Sequence, residues 1–565
     1  MNKLKAASLF LFPFLCFGGS AKIAPDLAGA DPQSIVNVIV QYADAPGNEQ
    51  QSRISQLGGI EHTALDAIHG KLVSIRAGAI EALAGDPEVL HVSGDHRVQA
   101  TLDNASAAIG SQMAIAYGWT GAGVGVAVID SGIQRERDLF SSNDRSRIVY
   151  SQTFVPGTND ASDQYGHGTH VAGIVGGNGA ASTGSIDFRT FRGIAPGASL
   201  VNLRVLDATG GGTDSAVIGA VGTAIRLKEK YNIRIINLSL GRPVFESYAV
   251  DPLCQAVEQA WRAGIVVVVA AGNDGRDQAT DGYATITAPG NDPLVITVGA
   301  IKTMGTPSRL DDLIASYSYK GPTLIDHVVK PDVVAPGNRI ISLKADGNTL
   351  LGNSVANKVL YSAYQSTNSD AYSADYFQLS GTSMATPMVS GAAALMLTRD
   401  SSLTPDTVKA RLMKTATKNF PLYSSTTDPV TGITYTSQYD IFTIGAGYVD
   451  LWYALNSNDV VPAGGSAASP VAVFNPLTQT VTVTNSNSAV WGTAAVWGTA
   501  AVWGTSVFVG GEAAVWGTAA VWGTAAVWGT SAVQGNAAVW GTAAVWGTST
   551  DPGSENLNLL TNGEN

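Results

Sequence analysis

Two short runs, Val126-Ala127-Val128-Ile129 and Ile265-Val266-Val267-Val268-Val269-Ala270, contain no polar residue at all. A strand with one wet face alternates apolar and polar residues, so runs like these need burial on both sides, as in the middle of a parallel sheet. The surrounding pattern agrees. From about residue 121 to 455, apolar segments such as Leu200–Val205, Arg234–Leu238 and Leu294–Val298 alternate with helical stretches such as His170–Gly176, Ser215–Tyr231 and Leu253–Ala263. We therefore expect an α/β unit, a mostly parallel sheet with helices on both faces.

Upstream, the order is strand, helix, strand, strand, helix, strand: Ile35–Tyr42, Glu49–Leu57, Ile60–Thr63, Lys71–Arg76, Gly78–Ala84 and Val89–Val92. That is the split βαβ order of a small α+β, ferredoxin-like unit. Roughly 60 residues is small for a free-standing domain, so another surface is expected to complete it. At the very start, Lys3 and Lys5 precede an apolar run from Ala6 to Phe17 and the small residues Gly19-Ser20-Ala21. Residues 1–21 read as an export signal, too short to span a bilayer. Removing it removes Cys16 and leaves Cys254 as the one cysteine, so no internal disulfide can form. Asp251-Pro252-Leu253-Cys254 opens like a capped helix, which makes Cys254 a buried structural thiol. The chain carries 33 Lys and Arg against 45 Asp and Glu, a formal charge of −12. With no basic surplus to neutralise phosphates, nucleic acid is excluded as a partner.

Residues 456–488 are rich in Asn, Ser, Pro and Gly and read as a linker or small β element, with a hairpin-like Val471–Phe474 and Thr478–Thr484. A hexad, Ala-Ala-Val-Trp-Gly-Thr, follows over 489–549 and holds Trp491, Trp497, Trp503, Trp516, Trp522, Trp528, Trp540 and Trp546. In a helix a six-residue step turns each Trp by about 240°, whereas in a strand an even step keeps them on one side. The repeat is thus β-compatible; a row of Trp that stacks on sugars or self-associates, and a low-complexity spacer, both remain open. Residues 550–565 form a tail.

Three segments carry chemistry. Asp130 ends the apolar strand in Val126-Ala127-Val128-Ile129-Asp130-Ser131-Gly132, where ligands meet open sheets; taken alone this is weak evidence, and an Asp that merely caps a turn is the favoured reading. In Tyr165-Gly166-His167-Gly168-Thr169-His170-Val171-Ala172-Gly173 glycines bring the backbone close to His167, and Thr169 to Gly173 starts a helix that carries His170. A zinc pair fails on inventory, because no carboxylate-rich helix accompanies them and the other five His lie elsewhere; no metal is assigned. In Leu379-Ser380-Gly381-Thr382-Ser383-Met384-Ala385-Thr386-Pro387, Ser383 sits at a helix N-terminus whose free N–H groups favour developing negative charge, and a plain Ser N-cap is the competing reading.

Taken in order and with their flanks, the three segments resemble the subtilisin-like serine proteases, a family with the chain order Asp, His, Ser. The resemblance implies an Asp-His-Ser triad in which Ser383 is the nucleophile, His167 the general base and Asp130 the group that sets its tautomer. Ala270-Ala271-Gly272-Asn273 resembles the family's oxyanion-hole segment, with Asn273 as donor beside the Ser383 N–H. Substrate is expected to lie extended between Asn237-Leu238-Ser239-Leu240-Gly241 and Gly210-Gly211-Gly212, near Ala271 and Gly272, with broad main-chain recognition. Thr287 stands where relatives often have Gly, which narrows a specificity pocket. Asp138 matches the position of one family calcium ligand without its partners, so structural calcium is left unassigned and no cofactor is expected. Residues Ser342–Tyr376 read as a surface insertion.

The domain organisation that follows is a signal peptide 1–21, a propeptide and intramolecular inhibitor 22–105, a peptidase domain 106–455, the linker or β element 456–488, the repeats 489–549 and the tail 550–565. The expected protein is a secreted endopeptidase, periplasmic or extracellular, made as a zymogen that cuts itself between about His96 and Ser106. It acts on protein or peptide substrates as a monomer without a membrane span. The alternative is a surface-binding or assembly protein whose repeats are functional and whose protease domain serves self-maturation.

Overall fold

Apolar runs gather into two separate cores, and the chain divides accordingly into Met1–Val98 and Gln99–Asn565. The computed structural model describes residues 22–23, 27, 31–65, 69–94, 102–277, 279–367, 369–428, 431–475, 480–484, 507–508, 515–516, 520–521, 560–561 and 563–564. The signal segment, the chain around His96 to Thr101 and most of the hexads lie outside the described residues.

In the first unit β1 (Ile35–Tyr42), α1 (Asn48–Gln56), β2 (Ile60–Leu65), β3 (Gly70–Arg76), α2 (Ile80–Ala84) and β4 (Val89–Gly94) follow each other as the sequence pattern predicts. The sheet order is β2-β3-β1-β4. Both neighbours of β1 run antiparallel to it. Its inward residues Val38, Val40 and Tyr42 meet Ile54, Val73, Ile75, Leu83, Val89 and Val92 in one core.

The second unit opens with α3 (Leu102–Ile109) and α4 (Ser111–Ala116), then β5 (Gly125–Asp130), β6 (Ile148–Thr153), α5 (His167–Gly176), β7 (Ser199–Arg204), α6 (Asp214–Tyr231), β8 (Ile233–Leu238), α7 (Pro252–Arg262), β9 (Val266–Ala270) and β10 (Ile296–Lys302). The short β11 (Leu313–Ile314) and β12 (Val333–Pro336) complete an eight-stranded sheet in the order β11-β10-β9-β8-β5-β7-β6, with β12 also on β10. All its ladders are parallel except that of β11. β5 and β9 are buried along their whole length, as their lack of polar alternation requires. From β5 the chain crosses to the edge strand β6, returns through β7, and then passes beyond β5 to run outward through β8, β9 and β10. That reversal leaves a crevice at the carboxyl ends of β5 and β8.

Next come β13 (Ile340–Leu343), α8 (Leu350–Asn353), β14 (Lys358–Leu360) and β15 (Tyr372–Leu379), then the long α9 (Thr382–Arg399), α10 (Pro405–Thr415), β16 (Tyr423–Thr427), β17 (Thr434–Gln438), α11 (Ile441–Ile444), α12 (Leu451–Asn456), β18 (Val471–Asn475) and β19 (Thr480–Thr484). α9 packs on α5, β8, β9 and β10. Its small residues allow the close approach: a side chain at Gly391 would stand 2.5 Å from Ile194.

Two expectations change and one is narrowed. The segment Ser342–Tyr376 is no loose surface insertion: β13, β14 and β15 form their own sheet, and Leu351, Tyr364 and Tyr376 are buried. For 456–488, expected as a linker or small β element, the β element forms, with β18 and β19 paired antiparallel, and the stretch before it is packed rather than free: the Ala467 N–H donates to Asp406 at 2.7 Å and Ser469 is buried with Asp332 and Lys409. Finally, both helices at the candidate site begin earlier than expected, at His167 and at Thr382. Ser383 is therefore in the first turn of α9, and the N-cap is Gly381.

Candidate active site

Asp130 is the last residue of β5 and His167 the first of α5, and both are buried. His167 Nδ1 lies 2.7 Å from Asp130 Oδ1, which also accepts the Ser131 N–H at 2.7 Å. Because a carboxylate only accepts, Nδ1 carries the proton and the Nε2 lone pair is left to take another. Burial works against charge on the imidazole and is the largest single influence. The Asp130 charge, its hydrogen bond and the more distant Asp163 outweigh it and hold His167 above the ordinary histidine range. The approach of α5 to β5 leaves no room for a side chain at position 168, where a Cβ would stand 2.2 Å from the Gly132 carbonyl oxygen.

Asp163, which motif reading passed over, organises this corner. Its Oδ1 accepts from Ser131 Oγ at 2.8 Å, Tyr165 N–H at 3.2 Å and Gly166 N–H at 2.7 Å; its Oδ2 accepts from Thr169 N–H at 2.8 Å. Ser131 Oγ in turn accepts the Gly168 N–H at 2.9 Å. Burial, the leading influence, pushes the Asp163 carboxyl upward, yet every group facing it donates, so the arrangement suits the ionised form. The signal was present as a carboxylate just upstream of a helix start.

Ser383 and Asn273 are partly exposed, so both can meet a ligand. Asn273 follows β9, and its Oδ1 accepts from Thr382 N–H at 2.8 Å and Thr382 Oγ1 at 3.0 Å. Those two bonds fix the amide so that Nδ2 is the side available to donate outward. The Ser383 N–H belongs to the first turn of α9, where donors have no acceptor within the helix. Ser239, just past β8, exchanges two bonds with Ser383: Ser239 Oγ donates to the Ser383 carbonyl at 2.8 Å and Ser383 Oγ donates to the Ser239 carbonyl at 3.1 Å. Carbonyl ends of β5, β8 and β9 thus converge on the start of α9.

The remaining expected site residues fall around this centre. Leu240 and Gly241 continue from Ser239. Arg242 and Ala288 form an antiparallel bridge, and the Thr287 hydroxyl reaches the Ala271 carbonyl at 3.2 Å. A Cβ at position 241 would lie 2.4 Å from that hydroxyl, so Thr287 occupies the space that Gly241 leaves. Gly210 and Gly211 do not lie in a strand: the Asp207 N–H donates to the Gly211 carbonyl at 2.8 Å and the Gly211 N–H donates back to Asp207 Oδ1 at 3.1 Å, making an exposed turn.

His170 faces elsewhere: its Nε2 donates to the Ile340 carbonyl at 3.0 Å, and burial lowers its pKa to about 3. Asp138 is buried and accepts from Ala181 N–H and Tyr376 Oη, both at 2.7 Å. Cys254 is buried, with its thiol on Asn291 Oδ1 at 3.2 Å and its pKa pushed up by burial.

The geometry can be set beside known proteins. The model of the subtilase family matches residues 121–431. Serine protease AprX of Bacillus subtilis (strain 168) is 40% identical over 330 residues, 57% of this chain and 68% of its own. Subtilisin E of the same organism is 32% identical over 414 residues, covering 73% of this chain and 92% of its own. The extracellular serine proteinase of Thermus sp. (strain Rt41A) is 34% identical over 376 residues, 64% and 75% of the two chains.

Proposed function

The chain belongs to the subtilase family and is a serine endopeptidase that acts on peptide substrates, and from that premise we propose that Asp130, His167 and Ser383 are its catalytic triad. Ser383 Oγ attacks the scissile carbonyl carbon while His167 Nε2 takes its proton. The tetrahedral intermediate collapses as His167 protonates the leaving amine, leaving an acyl-enzyme that water hydrolyses by the same proton route. To begin, the Ser383 hydroxyl must turn from the Ser239 carbonyl toward His167. Asn273 Nδ2 and the Ser383 N–H donate to the oxyanion, where preorganised dipoles act most strongly. This chemistry needs only groups of the chain and invokes no cofactor. The observation that carries the reading is the 2.7 Å bond from His167 Nδ1 to Asp130, which leaves Nε2 as the base.

The substrate backbone pairs with Ser239–Gly241, and Gly210–Gly212 border it on the far side as a turn, while Ala271 and Gly272 flank Asn273. The fit of Thr287 against Gly241 supports a narrow pocket beside broad main-chain recognition. Residues 22–105 act as a propeptide that assists folding and inhibits the enzyme until self-cleavage between about His96 and Ser106. Support comes from the self-contained core of the first unit and its split βαβ order. The signal-like sequence of residues 1–21 supports export, and the enzyme is read as a zymogen that acts as a monomer. Among the described residues no helix is long and apolar enough to cross a membrane.

A fluorophosphonate probe tests the assignment. Wild-type protein is expected to be labelled at Ser383 and Ser383→Ala to remain unlabelled; processed wild-type protein that resists the probe would refute it.

A further inference from the structure

Beyond the repeats the chain comes back to the peptidase unit and is buried there. Glu564 is 2% exposed and Thr561 9%, and Leu560 packs against the main core. The Glu564 carboxylate meets Arg276 Nη2 at 2.8 Å and Lys302 Nζ at 3.2 Å. It also accepts the Ser316 N–H at 3.1 Å and the Ser316 hydroxyl. Asn338 grips the main chain of the same residue twice: its Oδ1 accepts the Glu564 N–H and its Nδ2 donates to the Glu564 carbonyl, both at 2.8 Å. Upstream, the Leu560 carbonyl accepts the Ser380 N–H at 3.0 Å. A carboxylate leaves water only where charged and hydrogen-bonding partners replace it, and here two cations and two donors do so.

The partners of this segment belong to the loops of the site. Arg276 lies in the loop that carries Asn273, and it is itself held by Asp428, Ser316 Oγ and the face of Tyr435. Ser380 precedes Ser383 in the same loop. Asn338 follows Gly337, whose carbonyl accepts the Gly381 N–H at 2.8 Å. A single segment therefore touches both loops that present donors to an oxyanion.

We propose that Leu560, Thr561, Gly563 and Glu564 form an intramolecular strap. Glu564 plugs a buried cationic socket made by Arg276, Lys302, Ser316 and Asn338, and the strap holds the Asn273 and Ser383 loops in register. Its upstream counterpart is the anchoring of Ala467 and Ser469 on the same unit. The anchoring stands by itself, while the positioning role of Glu564 rests on reading Ser383 and Asn273 as nucleophile and oxyanion donor.

The test compares the full chain with a shortened one ending at residue 549. In a Ser383→Ala background, which prevents self-cleavage, a fluorescent peptide of residues 556–565 is expected to bind the shortened protein saturably. The same peptide carrying Glu564→Gln is expected to bind about tenfold more weakly or worse, since it loses its charge-assisted bonds. In the active background the shortened chain is expected to lose about tenfold in kcat on a small chromogenic peptide, with KM changed less than about twofold, because misplaced donors act on the transition state. Added strap peptide is expected to restore kcat. Full-length Glu564→Gln, which keeps the shape of the segment, is expected to lower both Tm and kcat even if the shortened chain does not fold. Absence of saturable binding, equal binding of the two peptides, or wild-type Tm and kcat in Glu564→Gln would each overturn the strap. Peptide binding without recovery of kcat would overturn the positioning role. If wild-type protein escaped fluorophosphonate labelling while the peptide still bound, the anchoring would be upheld and the Ser383 assignment would fall instead.

Discussion

Asp163→Asn isolates the contribution of the carboxylate that underlies the imidazole. Three donors face Oδ1 and one, the Thr169 N–H, faces Oδ2. An Asn that keeps its oxygen toward the three must point its amide at Thr169, replacing a charge-assisted bond by two opposed donors. Loss of one hydrogen bond to a charged group at a buried site costs about 1.5–3 kcal/mol. Loss of negative charge at the start of α5 adds about 0.3–1 kcal/mol. Their sum is about 2–4 kcal/mol, read as a lower urea midpoint at constant m. The same substitution acts on chemistry with a definite sign. Asp163 is one of the charges that hold His167 above its ordinary range, so neutralising it lowers the histidine pKa. With His167 as the proposed base, activity requires its neutral form, hence the acid limb of the kcat/KM profile is expected to move to lower pH. An unchanged urea midpoint, or an acid limb that stays in place or moves up, would refute the account of this network.

Two further predictions concern Asn273, the proposed oxyanion donor, and the accessory sheet. Asn273→Ala removes one donor and frees Thr382, and is expected to cost about 10²–10³ in kcat with little change in KM, a range taken from a subtilisin; steady-state kinetics on a peptide substrate measure it. Tyr376→Phe deletes the hydroxyl that donates to Asp138 at 2.7 Å and is expected to cost about 1–3 kcal/mol of stability; an unchanged urea midpoint would mean that this hydroxyl bond contributes nothing to stability.

Much of the protein is legible one segment at a time. The apolar runs ending in Ile129 and Ala270 require a doubly covered parallel sheet, because an unbroken stretch of Val and Ile cannot face water. The segments around Asp130, His167, Ser383 and Asn273 point to their chemistry because each motif is continuous in the chain. The split βαβ order before residue 95 is equally local, set by two-residue and helical periods and by glycine stops.

What tertiary structure alone decides is which distant groups meet. Nothing near residue 163 in the chain reveals that Ser131, 32 positions earlier, donates to it. The hydroxyl of Ser383 is directed by a carbonyl 144 positions away, and Thr382, unremarked in the motif, orients Asn273 from 109 positions away. Ser342–Tyr376 reads as a surface excursion until Tyr364 and Tyr376 are seen buried, both against Phe191 and the second also on Asp138. The strap is the extreme case, with Glu564 and Arg276 separated by 288 positions. Apolar patterning specifies where a segment must be buried, a short-range property of its own residues. Pairing of buried polar groups is a property of the closed fold, because the cost of leaving a carboxylate or amide without a partner exists only once water has been excluded.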